Sequence, residues 1–223
     1  MQKIMFEHRR FGLELAVIAR LKENTRRRVR FPKDINDADV ESAVMGIDKK
    51  GRVYFTFSVA TDQGTETVDV YPKYQIGEKV AVAQSYETIL SEHGLPRQQE
   101  PIDSSYYDGL HDAYRNPPVI RAMMNCNAYT NKLFVRAYLM PHVIEITDIK
   151  AERLHDISDE DCLREGVHPY ESKYWAVGPD RQFGGHLFDT PREAFAALID
   201  RLNGRGTWER NEWQFAYTFK LIK

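Results

Sequence analysis

Phe11, Leu15 and Ile18 recur at helical spacing, with Leu13, Val17 and Leu21 beside them, which predicts an amphipathic helix over 11–21. The pattern then changes period. Val53-Tyr54-Phe55-Thr56-Phe57-Ser58-Val59 is β-branched and aromatic, Thr61-Asp62-Gln63-Gly64 is turn chemistry, and Val68 and Val70 alternate with Asp69 and Tyr71; together these predict a hairpin. Val80 and Val82 share a face in a strand over 79–85, and a further strand is predicted over 142–149. Ser158 caps a short helix that stops at Gly166. Thr190, Pro191 and Glu193 supply cap, first-turn proline and capping box for a second helix, whose buried stripe is Phe195, Leu198, Ile199 and Leu202 and whose end is Gly204. Trp213, Phe215, Tyr217, Phe219 and Leu221 alternate with smaller or polar residues, the clearest strand in the chain, expected to bury one face.

Residues 87–130 break the periodicity. They hold Pro96, Pro101, Pro117 and Pro118 and several tyrosines, with a short helix expected over 106–115; the stretch reads as a surface insertion or lid. The elements are four to seven strands interrupted irregularly by three or four short helices, without an evenly spaced βαβ repeat. The expected fold is α+β: a small, mostly antiparallel barrel with short helices packed outside.

Composition narrows the class without fixing it. The chain has 223 residues, 42% hydrophobic and 29% charged, ordinary globular proportions. At about 150 residues per domain this suits one large domain with insertions. No apolar run is long enough for a membrane-spanning helix, and the first twenty residues do not read as a secretory signal. Cys126 and Cys162 cannot form a disulfide framework. The expected address is the cytoplasm, with no membrane partner. A net charge of −2 excludes a wholly basic nucleic-acid coat protein.

Charge is nevertheless concentrated. Arg20, Lys22, Arg26, Arg27, Arg28, Arg30 and Lys33 follow the first helix, opposed only by Glu23, in what reads as a loop. Guanidinium forks in such a cluster suit phosphate, nucleotide or carboxylate ligands. A solvated basic loop paired with the acids of residues 34–41 would give the same pattern. His155, His168, His186 and Cys162 lack close ligand spacing, so no metal site is expected, nor any other cofactor. Neither cysteine carries a nucleophile signature, and no Gly-x-Ser-x-Gly, Walker loop or Gly-x-Gly-x-x-Gly occurs. Trp175 and Trp208 could stack on a base or simply pack.

Four blocks in order resemble one family. Phe11-Gly12-Leu13 through Lys22-Glu23-Asn24-Thr25-Arg26-Arg27 is similar to the opening helix and basic loop of ASCH-domain proteins of the PUA-like superfamily. Gly77-Glu78-Lys79-Val80-Ala81-Val82 resembles their glycine-acid strand entry. Ile146-Thr147-Asp148-Ile149 through Glu165-Gly166 resembles the central strand and following helix. Thr190-Pro191-Arg192-Glu193-Ala194-Phe195 and Trp213 to Lys220 look like the last helix and closing strand of long phage- and Bacteroides-type members. The match covers about half of the chain.

The resemblance implies a single PUA-like barrel over 1–223, with insertions at about 34–72 and 87–130. It implies an RNA, nucleoside or nucleotide ligand held in a basic cleft by Arg26, Arg27 and Arg28. Small members resemble amidohydrolases of N4-acetylcytidine, which would make Lys22, Thr25 and Glu165 the catalytic residues. In that reading Lys22 is a base activating the Thr25 hydroxyl, its pKa lowered by Arg26, Arg27 and Arg28, and Glu165 is an acid with a raised pKa. Three positions depart from the family pattern: Arg20 and Leu21 replace its glycine and arginine, and Glu23 replaces a threonine, placing a carboxylate beside Lys22 in sequence. Lys22 and Thr25, in a polar loop, are expected to matter little for stability.

Overall fold

The computed structural model describes residues 1–7, 12–92, 125–127, 129–176 and 186–223. In chain order the elements are β1 (Gln2–Ile4), α1 (Leu13–Ile18), β2 (Asn24–Arg28), β3 (Val40–Ile47), β4 (Val53–Thr61), β5 (Gly64–Val70), β6 (Lys79–Val82), α2 (Tyr86–Glu92), β7 (Val143–Arg153), α3 (Asp159–Arg164), β8 (Val167–Tyr170), β9 (Lys173–Ala176), α4 (Pro191–Asn203) and β10 (Trp213–Leu221). The class is α+β, as expected. Among the described residues the strands do not close into a barrel. None of the described helices is long and apolar enough to cross a membrane.

The chain divides into two compact units of interleaved segments. One comprises Met1–Phe6, Lys79–Ile144 and Leu221–Lys223; the other comprises Glu7–Glu78 and Glu145–Lys220. In the first, β1 runs parallel to β6 with Lys3 opposite Ala81. Its core gathers Ala81, Ala83, Ile89, Leu90, Val135 and Met140. The short helix expected over 106–115, and most of the segment 87–130, lie outside the described residues.

In the second unit β3, β4 and β5 form an antiparallel meander. This meander fills most of the segment 34–72 that the sequence reads as an insertion. Thr61 pairs with Gly64 across a two-residue turn, as the turn chemistry predicts. Alternation on β4 buries Val53, Phe55, Phe57 and Val59. Phe57 packs edge-on against Phe31 at 4.9 Å and Trp213 at 5.3 Å, and Phe55 lies 5.4 Å from Phe215. β10 lies between β7 and β2. It is covered on both faces from Trp213 to Tyr217, not on one as its alternation suggests, because Gln214 and Ala216 are buried too. The closing helix follows its sequence signals: the Thr190 hydroxyl accepts from the Glu193 N–H, Pro191 opens the first turn, and Phe195, Leu198 and Ile199 are buried. Ser158 caps α3 by accepting from the Asp161 N–H at 3.1 Å.

Two expectations around the basic run change. The first helix spans only Leu13–Ile18, and Phe11 lies outside the described residues. Gly12 at φ 60° and Arg20 at φ 58° bound it. Its end is a Schellman turn: Arg20 N–H donates to the Val17 carbonyl and Leu21 N–H to the Ala16 carbonyl. This turn stops the helix within the apolar pattern and redirects the chain inward at Lys22. The basic run after it is not a loop. Asn24–Arg28 is strand β2, pairing antiparallel with β10 in the register Thr25 to Tyr217 and Arg27 to Phe215. The charged side chains are therefore divided between the two faces of a sheet.

Candidate functional site

Strand alternation sorts the candidate residues. Directly opposed residues of antiparallel strands share a face. Thr25 and Arg27 thus project on the side of Tyr217 and Phe215, whereas Asn24 and Arg26 project on the side of Thr218 and Ala216. Arg28 follows Arg26 onto that side but reaches solvent, where it pairs with Glu212 at 3.0 Å.

Arg26 is buried among carboxylates. Its guanidinium donates to Glu165 Oε1 at 3.0 Å, to Glu152 Oε1 through Nε at 3.1 Å and again through Nη2, and reaches Asp161 Oδ2 at 3.5 Å. Asn24 Nδ2 donates to the other Asp161 oxygen at 2.9 Å. The Phe195 ring of α4 lies under the guanidinium, 5.8 Å from centroid to Cζ. Burial works against the charge, but Glu165 and Glu152 outweigh it and raise the Arg26 pKa. Arg26 is consequently a structural cation, withdrawn from the ligand-binding role expected of it with Arg27 and Arg28.

Lys22 and Glu165 come together although 143 residues separate them. The Lys22 ammonium donates to Glu165 Oε2 at 2.5 Å and to the Glu165 main-chain carbonyl at 2.7 Å. Both residues are almost wholly buried. Their positions follow from local structure: Lys22 leaves the Schellman turn of α1, and Glu165 caps the C-terminal end of α3 with its N–H bonded to Asp161 and Cys162 carbonyls. The Glu23 N–H donates to the Arg164 carbonyl at 2.8 Å and its carbonyl accepts from Phe219, which ties the Lys22 segment to the end of α3. The carboxylate that meets Lys22 is therefore Glu165, not the sequence neighbour Glu23, whose side chain is exposed.

The electrostatics follow from this enclosure. Burial lowers the Lys22 pKa; Glu165 opposes it through its charge and hydrogen bond, and Arg27 and Arg26 add smaller depressions. Cationic neighbours thus act in the expected direction, but desolvation leads. Burial alone would raise the Glu165 carboxyl, yet Lys22 and Arg26 hold it below the usual carboxylate range. Glu165 is an ionised acceptor here, the opposite of the protonated acid that the amidohydrolase resemblance implies.

Thr25 is buried on the other face, and no hydrogen bond joins it to Lys22 or Glu165. Arg27 shares its face. The Arg27 side chain is open to water, yet burial lowers its pKa while Tyr74, Glu165 and Tyr217 oppose this. Tyr217 and Tyr74 meet edge to face at 5.4 Å, and the Lys73 N–H donates to the Tyr217 hydroxyl at 3.1 Å. Burial pushes the Tyr217 phenol up to about 12, so it is neutral at physiological pH.

Cys162 is buried, its thiol pushed up to about 12 by desolvation, and Cys126 is exposed. His155 bonds the Trp208 carbonyl at 2.7 Å and stacks on that indole at 4.5 Å. Trp175 stands 5.4 Å from His168. Among the described residues, no three His, Cys, Asp or Glu side chains cluster as a metal site would require. A recess of about 550 Å³ between Asp34, Asn36, Asp39, Asp62 and Glu66 is acidic and unsuited to a polyanion. Sequence reasoning did not single out Glu152, Asp161 or Asn24; the signal available was only the density of acids in the segments flanking Glu165.

No protein-family model, no curated protein and no solved structure matches this chain.

Proposed function

We propose that this chain is an ASCH-type, PUA-like protein that binds a modified nucleobase, as a free nucleoside or within RNA, on the face carrying Thr25 and Arg27. The observation that supports this is the exposure of Arg27, whose charge interacts with the Tyr74–Tyr217 pair and with the buried Lys22–Glu165 pair. Guanidinium N–H groups match the carbonyl and ring-nitrogen acceptors of a pyrimidine, and Thr25, Tyr74 and Tyr217, all buried, support Arg27 from beneath. The Lys22–Glu165–Arg26 network fixes the backbone of β2 from behind. Buried ion networks are weak sources of stability, so their use here is better explained by positioning.

The test is calorimetric titration with cytidine, N4-acetylcytidine and a short single-stranded RNA. Binding of at least one that is lost in Arg27→Ala and kept in Arg28→Ala supports the reading. Binding of none removes it.

The depressed Lys22 pKa favours a second reading, hydrolysis of an acylated cytidine, because an ammonium that gives up its proton readily can serve as a base. The same incubations, followed by chromatography for cytidine and the free acid, test it. Turnover requires Thr25 to move within reach of Lys22, so Thr25→Ala abolishes it if the reading holds.

A further inference from the structure

The outer edge of β3 departs from the usual design of exposed strands. β3 is the first strand of the β3–β4–β5 sheet, and among the described residues none pairs with its far side. Exposed edges are ordinarily blunted by proline, lysine, inward charge or a β-bulge, and β3 has one register irregularity, between Val40 and Ser42 at its beginning. Residues 42–47 of β3 carry none of these; they read Ser-Ala-Val-Met-Gly-Ile. Val44, Met45 and Ile47 are 67%, 51% and 66% exposed.

Register tells which groups face outward. Met45 is opposite Phe55 and Ile47 is opposite Val53, so both lie on the face that becomes the aromatic core one strand further in. The Asp48 N–H donates to the Arg52 carbonyl at 2.9 Å, which makes the even-numbered positions of β3 the ones bonded to β4. The main-chain N–H and C=O groups of Ala43, Met45 and Ile47 therefore point away from the sheet. An unused hydrogen-bonding ladder and a row of apolar side chains coincide on one edge.

The charges at its two ends identify the occupant. Asp39 and Glu41 are exposed at the beginning of β3, and Lys49 and Lys50 are exposed just beyond its end. An antiparallel copy of the same strand, related by a two-fold axis at Met45, sets Met45 beside Met45 and Ala43 beside Ile47. It brings the acidic beginning of each β3, with Glu41, toward the basic end of the other, with Lys49 just beyond the strand. We infer that β3 is the interface of a homodimer, in which a second copy of this chain adds its β3 antiparallel to the first and continues the Met45–Ile47 face across the axis. Self-complementarity of this kind is what a two-fold interface requires, and main-chain ladder bonds with alternating side-chain contacts are the means of strand addition.

Sedimentation of the full chain across micromolar to submillimolar concentrations tests the inference. The wild type associates to a dimer. Met45→Lys, at a solvent-exposed site that tolerates the change, is monomeric over the same range with an unchanged circular dichroism spectrum. Glu41→Lys and Lys49→Glu each weaken the dimer by about tenfold by opposing like charges, and the double exchange Glu41→Lys with Lys49→Glu restores it. A chain that stays monomeric overturns the proposal and leaves a foreign strand as the occupant. A dimer indifferent to Met45→Lys, or a double exchange that fails to recover the affinity lost in the single variants, overturns it as well.

Discussion

Lys22 grips Glu165 twice, through the carboxylate at 2.5 Å and through the main-chain carbonyl at 2.7 Å. The second bond matters as much as the first. It fixes the end of α3 to the entry of β2 irrespective of the charge on either side chain. The position expected to be dispensable for stability is one of the most enclosed polar sites in its unit.

Truncating one member of this pair should therefore destabilise strongly. Lys22→Met and Glu165→Leu are each expected to destabilise, Glu165→Leu the more, by about 3–5 kcal/mol, since it leaves the buried Lys22 ammonium without its carboxylate, whereas Lys22→Met leaves Glu165 its bond from Arg26. The double variant should cost clearly less than the sum, because the replacement pair is apolar and of similar volume. Urea unfolding of the four proteins gives the coupling energy. Additive losses would mean that the two side chains do not depend on one another.

The acid side of the stability profile should report the same carboxylate. Glu165 titrates lower in the folded chain than its ordinary value of about 4.3. Between those two values the unfolded chain binds the extra proton, so stability is fully present above about pH 4.3 and falls as pH drops through the folded value. Glu165→Gln should flatten this limb. Lys22 acts at the alkaline end: its folded pKa lies below about 10.4, the unfolded chain again holds the extra proton, and stability gains as pH rises through that window. Thermal unfolding across pH, wild type against Glu165→Gln, measures the difference; superimposable profiles would contradict the assignment.

The three consecutive arginines should separate by role. Arg27→Ala is expected to weaken nucleoside or RNA binding and flatten its salt dependence with the fold intact. Arg26→Ala is expected to unfold the unit more readily, because Glu152, Asp161 and Glu165 lose their shared donor. Arg28→Ala removes an exposed cation whose partner Glu212 keeps Arg210 nearby, and should change stability by no more than about 0.5 kcal/mol. Titration and denaturation of each variant distinguish these outcomes; equal effects from all three would return the segment to an undifferentiated basic patch.

A packing control completes the series. Phe215→Ala removes a ring in contact with Phe55, Phe57 and Tyr217 and should cost about 3–5 kcal/mol. Lys220→Ala on the same strand removes an exposed cation 3.3 Å from Glu145 and should be tolerated within about 0.5 kcal/mol. Comparable unfolding midpoints for the two would show the inward face of β10 to be misassigned.

What could be seen in the sequence was whatever left a local imprint. Thr190, Pro191 and Glu193 act within one turn, so the start of α4 was legible to the residue. Phe55 and Phe57 alternate because β4 buries one face, and the hairpin to β5 followed from its turn. β3 left no imprint because most of its residues on both faces are at least partly exposed, so hydrophobicity does not alternate along it. β8 carries Pro169 and pairs with β9 over only four residues, too short and too polar to stand out. The meeting of Lys22 with Glu165 was accessible only through family resemblance, and the identity of Arg26 as their buried partner was not accessible at all. Three like residues in a row, Arg26-Arg27-Arg28, receive different environments only once β2 has a register.

Assembly order is set by β2. Its partner strand β10 is separated from it in sequence by every element from β3 to α4, and Arg27 waits for Phe215 as Thr25 waits for Tyr217. Until that pairing forms, Lys22 and Arg26 have no sheet to hold them, and Glu152, Asp161 and Glu165 have no platform to meet. Pairings of such long sequence separation make for slow folding. Without β10 the apolar row of β4 lacks Trp213 and Phe215, so early productive folding depends on the local β3–β4–β5 meander. A slow β2–β10 pairing behind a fast local meander is the kinetic consequence of separating β2 from its neighbour by most of the elements of the fold.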